Sequence, residues 1–429
     1  MDRKIAIIGG GAAGMMAAVQ AAEAGACADL YERNDRVGKK LLATGNGRCN
    51  FSNRDMNRDA YYGSAVSFYE KLFSEFGVSE TIDFFSQHGM LVKDRNGYLY
   101  PLSEQASTVL DIFRFALAKA NVQLHTYSKV RALSRERKTG SFQVILDGEK
   151  GRESRFYQAV ILACGGMAAP KTGSDGNGYA LAESFGHLIA DPVPALVQLR
   201  CQGDFWKSVA GVRTEAVLDL FIDGQKRSTV RGELQLTDYG ISGIPVFQFS
   251  REAAYALLYQ KQVSVKIDFL PDHEEEAYRR FWEHRFDMGK EQTLEQFLTG
   301  ISNKKINQLV IRLAGCKPSD TAGRLPEGKR RKIAELYRHF TVTVCGTNGF
   351  EQAQASAGGI LAEELTDRLE SIYAPGLFLA GEIIDMDGIC GGYNLQWAWT
   401  SGAIAGKAAA EYVRSIRGQA RKGTGYRHD

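Results

Sequence analysis

Three glycines and one acid near the N-terminus carry the first chemistry in the chain. Gly9, Gly11 and Gly14 form G-x-G-x-x-G within Gly9-Gly10-Gly11-Ala12-Ala13-Gly14, and Glu32 follows 18 residues after Gly14. This spacing suits a dinucleotide. Gly9 permits a tight turn, Gly11 lets backbone approach a pyrophosphate, and Gly14 lets a helix pack closely on a strand. The helix that follows Ala12, Ala13 and Gly14 turns free N–H groups and a positive dipole end toward the phosphates. A carboxylate at position 32 can accept both hydroxyls of an adenosine ribose. It favours FAD or NAD over NADP, whose 2′-phosphate would face a negative charge.

The elements that must position these groups are legible around them. Lys4 to Ile8 reads as a short buried strand, Met15 to Gly25 as an Ala-rich helix, and Ala28 to Tyr31 as a second strand. Strand, glycine turn, helix, strand and acid arrive in the order a nucleotide-binding unit requires.

Two further blocks separate FAD from NAD. Residues 33 to 53 make a polar, glycine-broken loop that could run along an extended cofactor, with Lys39, Lys40 and Arg48 placed to neutralise a diphosphate. Gly376 to Glu382 reads as a buried strand ending in Gly381-Glu382, an acid suited to a ribityl hydroxyl. Asp387 to Ala398 then opens a helix behind Gly391, Gly392, Tyr393, Asn394 and Leu395. Its N-terminal N–H groups suit the flavin N1–C2=O edge, where negative charge develops on reduction.

The middle of the chain changes character twice. Val122 to Val130 reads as a strand, and Ala159 to Gly166 as a buried strand ending at Ala163, Gly165 and Gly166, where chain and cofactor would cross closely. Thr172 to Gly178 opens a helix at Tyr179, so Asp175 either binds the flavin region or caps that helix. Short strands between 191 and 270 suggest an inserted small β-barrel. Residues 271–340 are charged and helical, with Leu294, Phe297, Leu298 and Ile301 at core spacing. The expected class is α/β: a discontinuous Rossmann-like FAD-binding domain (1–190 and 341–429), a barrel (191–270) and a helical subdomain (271–340). The basic run Lys329-Arg330-Arg331-Lys332 reads as a solvated helix start. The tail from Arg414, with Arg417, Arg421, Lys422 and Arg427, is expected to fray.

Composition excludes other classes. With 44% hydrophobic residues among 429, the chain is neither disordered nor collagen-like. Its 53 basic and 50 acidic residues leave a net charge of +3, so no nucleic-acid partner is expected. Seven scattered cysteines without C-x-x-C spacing argue against a zinc site or a disulfide framework, and no other metal cluster is seen. No stretch is apolar enough to span a membrane, and a cytoplasmic location is expected. The 46 glycines against 9 prolines point to pinned backbone, and 19 of them fall in the windows 9–14, 38–47, 165–178, 358–359 and 376–392.

The blocks IAIIGGGAAG, GKKLLATGNGRCNFSN, TGSDGNGYALAESFGH, LTDYGISGIPVFQFS, ASAGGI and GLFLAGEIIDMDGICGGYNLQWAWTSG resemble a known family. It is the bacterial FAD-dependent oxidoreductase family of the BaiN-type bile-acid reductase and aminoacetone oxidase. The resemblance covers essentially the whole chain. It implies FAD extended between the N-terminal unit and the C-terminal strand–helix, touched by Arg33, Thr44, Gly45, Arg48, Cys49 and Asn50, with Val130 backbone against the adenine. It implies NAD(P)H-dependent reduction of a conjugated C=C bond in a 3-oxo bile acid or steroid-like substrate. The alternatives are amine oxidation by O₂ and a flavin-binding interaction protein without turnover. No second glycine fingerprint follows, so NAD(P)H would dock transiently near the flavin. Candidates for handling the proton or the enolate are Arg48, Cys49, Tyr239, Cys390 and Tyr393. Oligomeric state is left open.

Overall fold

The computed structural model describes residues 4–149 and 151–423, with side chains as far as 416. The chain divides into two compact units, 1–193 with 354–429, and 194–353.

The first unit is built on a five-stranded sheet. Its order is Leu377–Leu379, Ala159–Leu162, β1 (Lys4–Ile8), β2 (Cys27–Tyr31), Gln123–His125, and every pairing is parallel. The sequence explains this. Ala159–Leu162 is AVIL with all four residues buried, and β1 buries four of its five residues. Parallel strands covered on both faces need such continuous apolar runs. Helix α1 (Ala12–Glu23) covers one face, and the C-terminal helix (Tyr393–Gly423) lies against it. A Cβ at Gly402 would come 2.4 Å from Ala13 O, and one at Gly406 2.4 Å from Ala17 O. The two helices therefore meet backbone to backbone. A three-stranded antiparallel sheet (Lys129–Arg135, Phe142–Gly148, Gly151–Tyr157) flanks them, with a register shift just after Val130.

The second unit holds a closed, all-antiparallel barrel of six strands: Leu199–Cys201, Gly240–Ser242, Gln225–Leu236, Arg213–Ile222, Val263–Asp268 and Phe340–Thr347. The expected barrel is there, but its last strand comes from beyond the helical segment. Val342 and Val344 point inward and Thr341 and Thr343 outward, the period-two pattern of a barrel strand. The chain therefore leaves this unit after Ala353, not at 341. The helices of 271–340 share one apolar core with the barrel, through Leu294, Phe297 and Leu298. Two smaller expectations also change. Lys329 Nζ caps Gly315 O at 2.6 Å, and Arg330 donates to Leu325 O and Gly323 O, so the basic run begins by closing carbonyls. The terminal helix runs to Gly423, with Arg414 donating to Ala24 O at 2.7 Å. The side chains of Arg417, Arg421 and Lys422, and all of Arg427, lie outside the described residues.

Among the described residues no helix is long and apolar enough to cross a membrane. None of their His, Cys, Asp and Glu side chains group in threes that could hold a metal ion.

Candidate functional site

The glycine turn sits between β1 and α1, and its three glycines answer different demands. A Cβ on Gly9, whose φ is 110°, would lie 2.3 Å from Ala163 O. One on Gly14 would lie 1.9 Å from Gly9 O. Both are fixed by packing. A Cβ on Gly11 would meet nothing within 4 Å. Gly11 lines an open cleft, so what requires a bare backbone there is whatever fills that space. Helix α1 has no side-chain cap at Gly11, which leaves its first-turn N–H groups for a ligand. This cradle fits a pyrophosphate.

At the end of β2, Glu32 is only 8% exposed. Its Oε2 accepts the Gly10 N–H at 2.9 Å, and its Oε1 accepts the Asn34 N–H and Nδ2, both at 2.8 Å. The carboxylate is thus held rigidly while it lines the cleft. Asp175 is not among the cleft-lining residues and instead caps the next helix from one residue before its N-cap, Gly176. It pairs with Arg33 at 2.7 Å and accepts the Asn177 N–H at 3.3 Å. Burial works to raise its carboxyl, but the Arg33 guanidinium outweighs that and holds it below the usual carboxylate range.

The segment expected as a loop contains a short helix, α2 (Lys39–Ala43), entered through Gly38 at φ 73°. Its two lysines are already answered by acids. Lys39 meets Asp35 at 2.7 Å and Lys40 meets Glu382 at 2.6 Å. Glu382 is fixed in turn by the Ser356 N–H at 2.7 Å. Arg48 is not among the cleft-lining residues. Its Nε donates to Gly45 O at 3.4 Å and its guanidinium stands 5.8 Å from the centre of the Tyr100 ring.

The C-terminal helix starts behind two left-handed glycines. A Cβ on Gly392, at φ 95°, would come 2.5 Å from Ser52 O. Asn394 brackets Gly388, accepting its N–H at 2.9 Å and donating to its carbonyl at 2.8 Å. Trp397 Nε1 donates to Gly381 O at 3.2 Å, and Ser401 Oγ accepts the Gly381 N–H at 2.9 Å. These bonds set the helix's first turn, Asn394 and Leu395 included, on the cleft wall.

The cleft brings together Gly9, Gly11, Ala12 and Ala13 at the turn, Glu32, Arg33 and Val130 beside β2, Lys39, Lys40, Thr44, Ala163, Gly165, Gly381 and Glu382 along its length, and Asn394 and Leu395 at the helix. It leaves about 1210 Å³ of empty space, part of which is open solvent. Gly14, Gly45, Gly166, Gly391 and Gly392 support its walls without lining it. Asn50 also lies outside the lining, with Oδ1 buried and without a hydrogen bond. Sequence reasoning missed Gly10, Ser128, Lys129, Thr172, Gly173, Ser174, Asn177, Gln354, Met386 and Trp397. Gly173, Ser174 and Asn177 lie in the glycine-rich turn 173–178, the signal that could have found them, while Ser128, Gln354, Met386 and Trp397 carry no such mark.

The catalytic candidates do not converge in the cleft. Cys49 is fully buried at φ 56°, and burial pushes its thiol up to about 12, so it is no nucleophile. Burial also raises the Cys390 thiol and the Tyr393 phenol. Tyr393 donates its hydroxyl to Asp55 O at 3.0 Å. Tyr239 belongs to the barrel unit, partly exposed, with the Arg200 guanidinium 5.7 Å from its ring centre.

Comparison with known proteins follows the same lines. The family model "HI0933-like protein Rossmann domain" matches residues 3–408. A 3-dehydro-bile acid delta(4,6)-reductase of Clostridium scindens is 42% identical over 411 residues, covering 95% of this chain and 99% of that protein. A ribosomal RNA dihydrouridine synthase of Escherichia coli is 29% identical, covering 92% of this chain and 95% of that protein. Among solved structures, the 3-ketosteroid-delta4-(5alpha)-dehydrogenase of Rhodococcus jostii RHA1 aligns with a TM-score of 0.50 at 17% identity, over 95% of this chain and 97% of that one. At that identity the likeness is one of fold.

Proposed function

The chain belongs to the HI0933-like Rossmann family and is an FAD-dependent oxidoreductase, and on that premise we propose that it saturates a C=C bond conjugated to a carbonyl. The proposed substrate is a 3-oxo bile acid or similar steroid, and the proposed electron donor is NAD(P)H. The observation that carries this reading is the end-to-end similarity to the Clostridium scindens reductase. The name of the more distant relative fits the same bond chemistry, since dihydrouridine is uridine with a carbonyl-conjugated C=C bond saturated.

When bound and reduced, FAD supplies the hydride. The chain's own residues do the rest. The Gly9–Gly14 turn and the N-terminus of α1 would hold the pyrophosphate, and Glu32 the ribose hydroxyls. Lys40 and Glu382 keep the middle of the cleft electrically neutral. The first turn of the C-terminal helix would offer N–H groups to the edge of the bound flavin, where charge develops on reduction. Saturating the bond also needs a proton at the carbon α to the carbonyl. Cys49 is too buried and too weak an acid for this, and the Tyr393 hydroxyl is committed to Asp55. Burial likewise weakens Cys390 as an acid, and Arg48, permanently charged, is the candidate to steady the enolate oxygen. Turnover tests the reading: NADH or NADPH should be consumed only when both protein and a 3-oxo-Δ4 steroid are present. Amine-dependent O₂ consumption without steroid reduction would replace it with the oxidase reading.

A further inference from the structure

We propose that Arg33 and Asp175 form a clasp across the cleft's edge that sets how fast FAD leaves. The inference rests on FAD as the resident cofactor and is independent of the substrate.

Arg33 follows Glu32 at the end of β2, and Asp175 lies in the Gly173–Gly176 turn. Their side chains meet at 2.7 Å. A second link runs beside the first, as Asn34 Nδ2 donates to Thr172 O at 2.9 Å. Asn34 is itself fastened to Glu32 Oε1 through both its backbone N–H and its Nδ2. The Tyr127 N–H donates to Asn34 O at 2.9 Å. The two lips meet at atomic contact: a Cβ on Gly173, at φ 111°, would sit 2.6 Å from Asn34 Nδ2. Arg33, Thr172, Gly173 and Ser174 all line the cleft. The ion pair lies at the solvent boundary, its side chains 26% and 31% exposed, while Glu32 is buried beneath. Both links close over the segment that holds Glu32, so a nucleotide whose ribose was held by Glu32 would part them on leaving by that side.

A partly exposed pair is weakened by salt, so exchange of FAD should speed up as ionic strength rises. The test uses the yellow holoprotein and reads the exchange of bound FAD for added radiolabelled FAD. Arg33→Gln and Asp175→Asn should each speed exchange about fivefold, as expected for a partly exposed ion pair. The charge-swapped double variant Arg33→Asp/Asp175→Arg should return to within about twofold of wild type, because only the pairing matters. The wild-type salt dependence should vanish in Asp175→Asn, a readout taken on natively folded protein. Single variants that exchange at the wild-type rate would overturn the clasp. So would a charge swap that exchanges faster than either single variant, since Arg33 would then contact the cofactor itself. A wild type without flavin would overturn the cofactor reading and the clasp together, whereas a yellow wild type with unchanged variants overturns the clasp alone.

Discussion

Lys40 Nζ and Glu382 Oε2 lie 2.6 Å apart inside the cofactor cleft, although 342 residues separate them in the chain. The pair joins the helix after β2 to the strand end before the C-terminal helix, two segments that the sequence assigns to neighbouring groups of one ligand, the diphosphate and the ribityl chain. The Lys40 charge is thereby already answered by a carboxylate of the chain itself.

Glu382→Gln should keep its acceptor for the Ser356 N–H but lose the ion pair. FAD affinity should fall roughly tenfold, in line with ~1–2 kcal/mol for a partly buried charged bond. Glu382→Ala should lose more, because the Ser356 N–H is then unanswered. Titrating apoprotein with FAD and following flavin fluorescence checks both.

Gly11 and Gly14 should fail in different ways. Gly11→Ala places its Cβ in the open cleft, so the apoprotein should melt as wild type does while FAD binding drops sharply. Gly14→Ala drives its Cβ to 1.9 Å from Gly9 O and should destabilise the apoprotein itself by about 1–3 kcal/mol. Thermal melts with and without FAD separate the two effects. A Gly11→Ala protein with full FAD occupancy would refute the placement of the pyrophosphate.

His187, which does not line the cleft, offers a pH test. It is buried between Glu364 (2.9 Å) and Ser371 (2.8 Å). Burial lowers its ring below the ordinary histidine value, against the opposing pull of Glu364. The unfolded chain therefore binds this proton at higher pH than the folded one. Its contribution to stability is complete above about pH 6.5 and is lost as pH falls from there toward the lower folded value. Wild type should lose stability over that window, and His187→Gln should lose less. His187→Ala should cost about 2–3 kcal/mol by leaving buried polar partners unanswered. Denaturant melts at several pH values provide the check.

Cys49→Ala should retain turnover within about twofold, because a buried thiol raised to about 12 is neither thiolate nor accessible. Steady-state kinetics decide this. A loss of kcat with unchanged FAD content would restore Cys49 to the chemistry.

What could be read in the sequence was the part governed by local backbone rules. The Gly9–Gly14 turn, Glu32 at the end of β2 and the AVIL strand each follow from short-range geometry and burial. Lys40 and Glu382 were both named, but for different ligand groups. Their pairing depends on contacts 342 residues apart, which no local pattern encodes. The same holds for Arg33 and Asp175. The barrel's last strand, Phe340–Thr347, escaped assignment because a closed sheet takes strands from either side of a helical insertion. Tyr239 lies in the barrel unit, where the sequence carries no glycine signature.

The most direct test of the central claim is anaerobic single turnover. Protein reduced with NADH or NADPH is mixed with a 3-oxo-Δ4,6 steroid while the flavin's visible band is followed. The account predicts that the coenzyme bleaches the band, that the steroid restores it, and that the recovered steroid has lost a C=C bond conjugated to its 3-oxo group. A reduced flavin that no conjugated ketone reoxidises, in a protein whose oxidised flavin is bleached by an amine, would contradict it.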